Sequence, residues 1–124
     1  MSGSSALNAP EPFLTWRWED EDDEEVVKHE KDTKMPNTSL FILGKEDHTM
    51  GNIIRMQLLR DKRVRFAGYM MPHPTVFDCH IKVQTMEASQ NPMHVFDEAL
   101  EDLSEEVNRL KAQFELAYNE FNNQ

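Results

Sequence analysis

Asp47 and His48 stand side by side just ahead of a helical pattern, the residue types from which an acid–base pair could be made. Neighbours in sequence at a helix start point in different directions, however, and no serine or cysteine is placed with them as a nucleophile. Asp47 or Thr49 can instead offer a side-chain oxygen to the unpaired amides of the first helical turn, so capping and packing is the better reading. His73, Cys79 and His80 are potential metal ligands. Cys79 and His80 alternate onto opposite faces of a strand pattern and cannot easily share an ion. Cys79 reads as a small core residue. Asn37-Thr38-Ser39 fits the glycosylation acceptor pattern, a reading that lapses inside the cell. There is no Gly-rich phosphate loop and no nucleotide-binding fingerprint. The expectation is a protein with no catalytic residues, no cofactor and no metal site.

Charge narrows the class further. The chain has 124 residues and a formal net charge of −10. The run from Glu19 to Glu25 holds seven of the acids and no base, leaving 16 acids against 13 bases, or −3, for the rest. A solvated, self-repelling segment is the simplest reading of that run. The remainder lacks the basic footprint of a direct duplex reader, so no direct nucleic-acid contact is expected. One cysteine excludes an intrachain disulfide and fits a reducing compartment. No stretch is long and apolar enough for a membrane span, and residues 1–10 lack the features of a secretory signal. A soluble intracellular protein without membrane contact is expected.

The elements that would hold these residues form a small α+β domain. Residues 1–25 read as a flexible, acidic N-terminal arm carrying Phe13, Leu14, Trp16 and Trp18, and residues 26–124 as one domain. A short edge strand is expected at 26–29 and a buried strand at 38–43, between Pro36-Asn37 and Gly44. A helix over 48–60 places Met50, Ile53, Ile54 and Leu58 on one face. Gly51 weakens that helix by about 1 kcal/mol against alanine, which points to close approach of another backbone. Val64, Phe66, Gly68 and Met70 alternate with Arg63, Arg65, Ala67 and Tyr69 in a third strand. After a loop at Pro72-His73-Pro74, Phe77, Cys79, Ile81 and Val83 face one way, while Asp78, His80, Lys82 and Gln84 face the other. Met35, Met50, Met56, Met70, Met71, Met86 and Met93 are read as core filling rather than adaptable surface.

The last helix is the most informative element. Asn91 can cap it and Pro92 suits its first position. Phe96, Leu100, Leu103, Val107, Leu110, Phe114, Ala117 and Phe121 then recur at steps of four and three, a sustained heptad seam. A helix over 92–121 runs about 45 Å at 1.5 Å per residue. The remaining domain has an expected radius of gyration of roughly 11 Å and cannot cover that length. The first half of the stripe is expected to be core and the second half to meet another chain.

These motifs, in this order, resemble a known family. Asp47-His48-Thr49-Met50-Gly51-Asn52-Ile53-Ile54 is similar to the motif of RNA polymerase alpha-like subunits, in which a helix opens with Asp-His-Thr-Leu-Gly-Asn. Phe66-Ala67-Gly68-Tyr69 followed by Pro72-His73-Pro74 resembles the second signature of that family. Val83-Gln84-Thr85 resembles the polymerase II form more than the form shared by polymerases I and III, and Asn8-Ala9-Pro10 with Phe13 is similar to its opening residues. Met50 departs from the usual leucine, a swap of similar volume. The acidic run at 19–25 is longer than the pattern implies.

The resemblance implies a small antiparallel sheet packed by two helices, the alpha-subunit dimerisation domain. It also implies a non-catalytic nuclear assembly subunit of RNA polymerase II. That subunit forms a heterodimer with the larger alpha-like subunit, and the pair is the platform for the large catalytic subunits. Helices 48–60 and 92–121 would meet the partner. The interface expected from the first is Met50, Gly51, Ile53, Ile54 and Leu58. From the second it is Leu100, Leu103, Val107, Leu110, Phe114, Ala117 and Phe121. Two alternatives stay open: the equivalent subunit of polymerases I and III, and a homodimeric helix-mediated binding module.

Overall fold

Two strand-like patterns with one apolar face each and two amphipathic helices can be satisfied together only by a shared buried layer. The computed structural model, which describes residues 26–76 and 78–124, builds that layer as a four-stranded antiparallel sheet with both helices on one face. The elements run β1 (Val27–Lys31), β2 (Thr38–Gly44), α1 (His48–Leu59), β3 (Val64–Met70), β4 (Asp78–Thr85) and α2 (Pro92–Asn122). The sheet order is β1-β2-β4-β3, so α1 carries the chain across the sheet and β4 fills the gap between β2 and β3. The arm expected at 1–25, with its aromatics and acidic run, and the inward place expected for Phe77 lie outside the described residues.

Register makes the core. Ser39, Phe41 and Leu43 lie opposite Val83, Ile81 and Cys79, all of them buried on the helix side of the sheet. Ile54 and Leu58 of α1 and Val95, Phe96 and Ala99 of α2 close over them. Phe96 stacks on Phe41 with ring centroids 4.0 Å apart. The strict alternation read in β4 holds, with Cys79, Ile81, Val83 and Thr85 buried and the residues between them half-buried.

The alternation expected in β3 does not hold. Val64 is buried, but Phe66 and Met70 are exposed, and Ala67 and Tyr69 take the inward places. The cause is a bulge: Val64 pairs with Thr85 and Phe66 with Gln84, so Arg65 is an extra residue. One extra residue flips every later side chain to the other face. The methionine expectation also fails for most of its members. Met50 and Met71 pack against the core, but Met35, Met56, Met70, Met86 and Met93 are exposed. Methionine follows no strict periodicity requirement, so composition alone could not place it.

The entry to α2 is fixed by a buried hydroxyl. Thr85, at the end of β4, donates from Oγ1 to the carbonyls of Gln90, at 2.8 Å, and Glu87, at 3.2 Å. Asn91 Oδ1 then accepts from the amide of Met93 at 3.0 Å, and Pro92 stands at the helix start. These bonds join the end of the sheet to the beginning of the helix and so set where α2 points.

Candidate partner interface

Asp47 is the N-cap of α1. Its Oδ1 accepts from the Thr49 amide at 2.9 Å, and its carbonyl accepts from the Gly51 amide at 3.0 Å. His48 turns away from it and shares a hydrogen bond between Nδ1 and Tyr69 Oη at 3.1 Å. A Cβ on Gly51 would sit 2.5 Å from Tyr69 Cδ2 and 2.8 Å from Cys79 Sγ. The two sequence signatures therefore meet each other: the helix opening at 47–52 seats on Tyr69 of the 66–69 segment. Cys79 closes the contact from β4, and burial pushes its thiol up to about 11. The Asp47–His48 pair is a cap and a ring contact, an intrachain docking device.

The close approach read at Gly51 is thus to this chain's own sheet. Ile54 and Leu58 are likewise buried in the chain's own core, with no exposed surface. These three residues of the expected interface are corrected to core, because α1 has an inner face of positions 51, 54 and 58 and a separate lateral face. Met50 is half-buried at the edge of the core. Ile53 is exposed on the lateral face, and Met56, which the periodicity reading passed over, joins it. Both line an open groove against Leu103, Val107 and Leu110 of α2, with Arg60 and Glu106 at its rim, 4.0 Å apart.

Helix α2 changes character along its length. Val95, Phe96 and Ala99 are buried, and Leu100 and Leu103 are half-buried against the core. From residue 104 to the end every residue is exposed. Leu110 retains 66% of its surface, Phe114 69% and Phe121 73%, and Val107 and Ala117 are exposed with them. The bare part, 104–122, is about 28 Å long at 1.5 Å per residue. Leu116 and Tyr118 are exposed as well, although they were not read as part of the seam. Tyr118 stacks on Phe114 at 6.4 Å. Leu116 lies two residues from both, so it projects from nearly the opposite side of the helix. Large apolar side chains off the heptad steps were the available signal.

Charged contacts hold the base of this projecting helix. Arg63, at the entry to β3, donates to Asp61 at 2.7 Å and to Glu98 of α2, and His94 contacts Glu98 at 2.8 Å. Arg63 holds the Asp61 and Glu98 carboxyls below the usual carboxylate range, and they in turn raise its own pKa. Among the described residues no group of three or more His, Cys, Asp or Glu side chains is arranged to hold a metal, and no helix is long and apolar enough to cross a membrane.

Comparison with known proteins agrees with this geometry. Residues 38–113 match the family model described as the RNA polymerase Rpb3/Rpb11 dimerisation domain. The DNA-directed RNA polymerase II subunit rpb11 of Dictyostelium discoideum is 42% identical over 108 residues, 87% of this chain and 88% of that protein. The DNA-directed RNA polymerase II subunit RPB11 of Schizosaccharomyces pombe is 41% identical over 88 residues, 71% of each chain. A probable counterpart in Caenorhabditis briggsae is 39% identical over 111 residues, covering 90% of this chain and 88% of that one. In structure, the chain is similar to DNA-directed RNA polymerase subunit L of Thermoplasma acidophilum, with a TM-score of 0.63 over 79% of this chain and 95% of that one. At 21% identity this last likeness speaks for the fold. With its motifs, its sheet order and its bare final helix accounted for, the chain belongs to the family of the RNA polymerase Rpb3/Rpb11 dimerisation domain.

Proposed function

We propose that this chain is a non-catalytic assembly subunit of RNA polymerase II, acting in the nucleus by pairing with the larger alpha-like subunit of that enzyme. The observation that carries the reading is the outer half of α2, a helix whose Val107, Leu110, Phe114 and Phe121 are left largely exposed. Fully burying a side chain of this size contributes about 1.5–3 kcal/mol. Association itself costs several kcal/mol, so a stable pair needs the whole stripe together with the Ile53–Met56 groove beside it. Obligate interfaces commonly bury roughly 2,000 Å² or more, an area that one helix and its adjoining groove supply only if the partner wraps them. The placement of Leu116 opposite Phe114 supports such wrapping. The pair then serves as the platform on which the large catalytic subunits assemble.

Size-exclusion chromatography with light scattering, on the chain alone and co-expressed with the larger alpha-like subunit, tests this. The expected result is self-association or aggregation of the chain alone and a clean one-to-one complex with the partner. A well-behaved homodimer that ignores the partner would replace this reading with a self-sufficient binding module. A preference for the larger alpha-like subunit of polymerases I and III would keep the class and change the enzyme.

A further inference from the structure

The two edges of the sheet are unlike. At one edge β1 reads Val27-Lys28-His29-Glu30-Lys31, with three charged residues in five. Charged side chains are a usual device that keeps an edge strand from pairing with another chain. At the other edge β3 pairs with β4 alone. Beyond its bulge β3 reads Phe66-Ala67-Gly68-Tyr69-Met70, in regular register with β4 and without a charge or a proline. That stretch is about 17 Å long at 3.4 Å per residue, and its free backbone groups are open to a strand laid beside it. Phe66 and Met70, on the face away from the helices, are both exposed.

A cation stands beside this edge. On α1, His48, Asn52 and Arg55 share a flank at steps of four and three, distinct from the flank of Ile53 and Met56. With Tyr69, Met70 and Pro74, His48 and Arg55 line an open hollow of about 800 Å³, room for several side chains rather than a single water. Arg55 donates from Nη2 to Asn52 Oδ1 at 2.9 Å, and its Nε is buried without a partner. No carboxylate among the described residues pairs with it, and no acidic side chain lines the hollow. A buried donor without an acceptor is a cost that an incoming carboxylate, with two acceptor oxygens, removes.

We propose that the free edge of β3 takes an added strand from a third chain of the assembly, and that a carboxylate on that strand pairs with Arg55. The occupant is an extended, mostly apolar segment carrying an aspartate or glutamate. Strand addition supplies backbone hydrogen bonds, and the Arg55 hollow selects which strand is accepted. Charge complementarity favours a carboxylate over a nucleic-acid phosphate. One guanidinium among apolar walls suits one acid on an apolar strand, whereas a nucleic-acid backbone is followed by several bases along a groove. The inference rests on the reading of this chain as a polymerase assembly subunit whose α2 is taken by the larger alpha-like subunit.

The test uses polymerase II purified through a tag on this chain. Arg55→Lys places an amine where the guanidinium was, and a carbodiimide joins an amine to a carboxylate only where the two touch, forming an amide with loss of water. The expected product is an amide from position 55 to an aspartate or glutamate of a chain other than the larger alpha-like subunit, unchanged by nuclease digestion. Arg55→Glu is expected to leave the one-to-one complex with the larger alpha-like subunit and its thermal unfolding midpoint unchanged. Recovery of the third chain should fall by about tenfold or more. Met70→Glu, which sets a like charge beside the incoming acid, should lower the same recovery. Amide hydrogen exchange over residues 66–70 should slow several-fold between the pair and the whole polymerase. An amide to the larger alpha-like subunit or to this chain itself, or none, would overturn the proposal. So would undiminished recovery with Arg55→Glu, unchanged exchange over 66–70, or attachment to nucleic acid, which would give the guanidinium to a phosphate. If the unmodified chain fails to bring down the larger alpha-like subunit, the assembly-subunit reading falls and this inference falls with it.

Discussion

The first three turns of α2 and the turns beyond Leu103 belong to one unbroken helix with one heptad rhythm, yet they live in different surroundings. In the first, Val95, Phe96 and Ala99 are covered by β2, β4 and α1, and Arg63 fastens Glu98 to the entry of β3. In the second, side chains of the same types stand in water. A helix this exposed gains little from tertiary packing over its outer half, and its apolar stripe is a liability unless another molecule covers it. The contrast teaches that periodicity announces burial without saying by whom. The inner half stabilises this chain, and the outer half is the surface we propose for the partner.

That contrast can be broken most directly at its outer end. Replacing both Leu110 and Phe114 with glutamate is expected to abolish pairing with the larger alpha-like subunit in co-purification, while circular dichroism of the chain is unchanged. Retention of the complex would mean that the seam is not the contact. Next in size is a paired truncation. Ile54→Ala should lower the unfolding free energy by about 2–5 kcal/mol, as a fully buried aliphatic does. Val107→Ala, at an exposed position, should stay within about 0.5 kcal/mol in the same denaturant titration of the unpaired chain. Equal effects would show that the outer half is covered by this chain after all.

Gly51→Ala sharpens the inner side. The added methyl meets Tyr69 and Cys79 well inside contact distance, and the cost of overpacking, about 1–3 kcal/mol, opposes a gain in helix propensity of about 1 kcal/mol. Net destabilisation in the denaturant midpoint is expected, with partner affinity little changed. Loss of affinity without loss of stability would return Gly51 to the interface.

The smallest effect is electrostatic. Arg63 lowers the folded pKa of Asp61 and Glu98, so their contribution is fully present above the ordinary carboxylate range, near about pH 4. It is lost as pH falls through the lowered folded values. Arg63→Ala should therefore flatten the acid limb of a stability–pH profile below about pH 4 and leave the neutral limb parallel to the parent. Both carboxylates are partly exposed and screened, which keeps this effect below the other three.

Much of this was legible in residue order. The alternation of Cys79, Ile81 and Val83 and the Asn91-Pro92 start are local rules, and each appears where those rules put it. The long heptad run announced a helix because the spacing of its apolar residues requires one. Other features were beyond local reasoning. The bulge at Arg65 reverses the rest of β3, and a period-two pattern contains no mark of where a register slips. The reading of Gly51 as a close contact was right about the contact and wrong about its partner, because spacing along a helix does not say which surface lies opposite.

By itself, then, the sequence determined the element types, the caps, the inward face of β4 and the existence of more apolar helix surface than a domain of this size can cover. These depend on backbone geometry and side-chain period, which act over a few residues. Only the tertiary structure decided that Ile54 and Leu58 are core while Ile53 and Met56 are surface, that Tyr69 rather than another chain receives Gly51, and that α2 is bare from residue 104 onward. Those outcomes turn on which faces the sheet order brings together, a property of contacts between residues far apart in the chain.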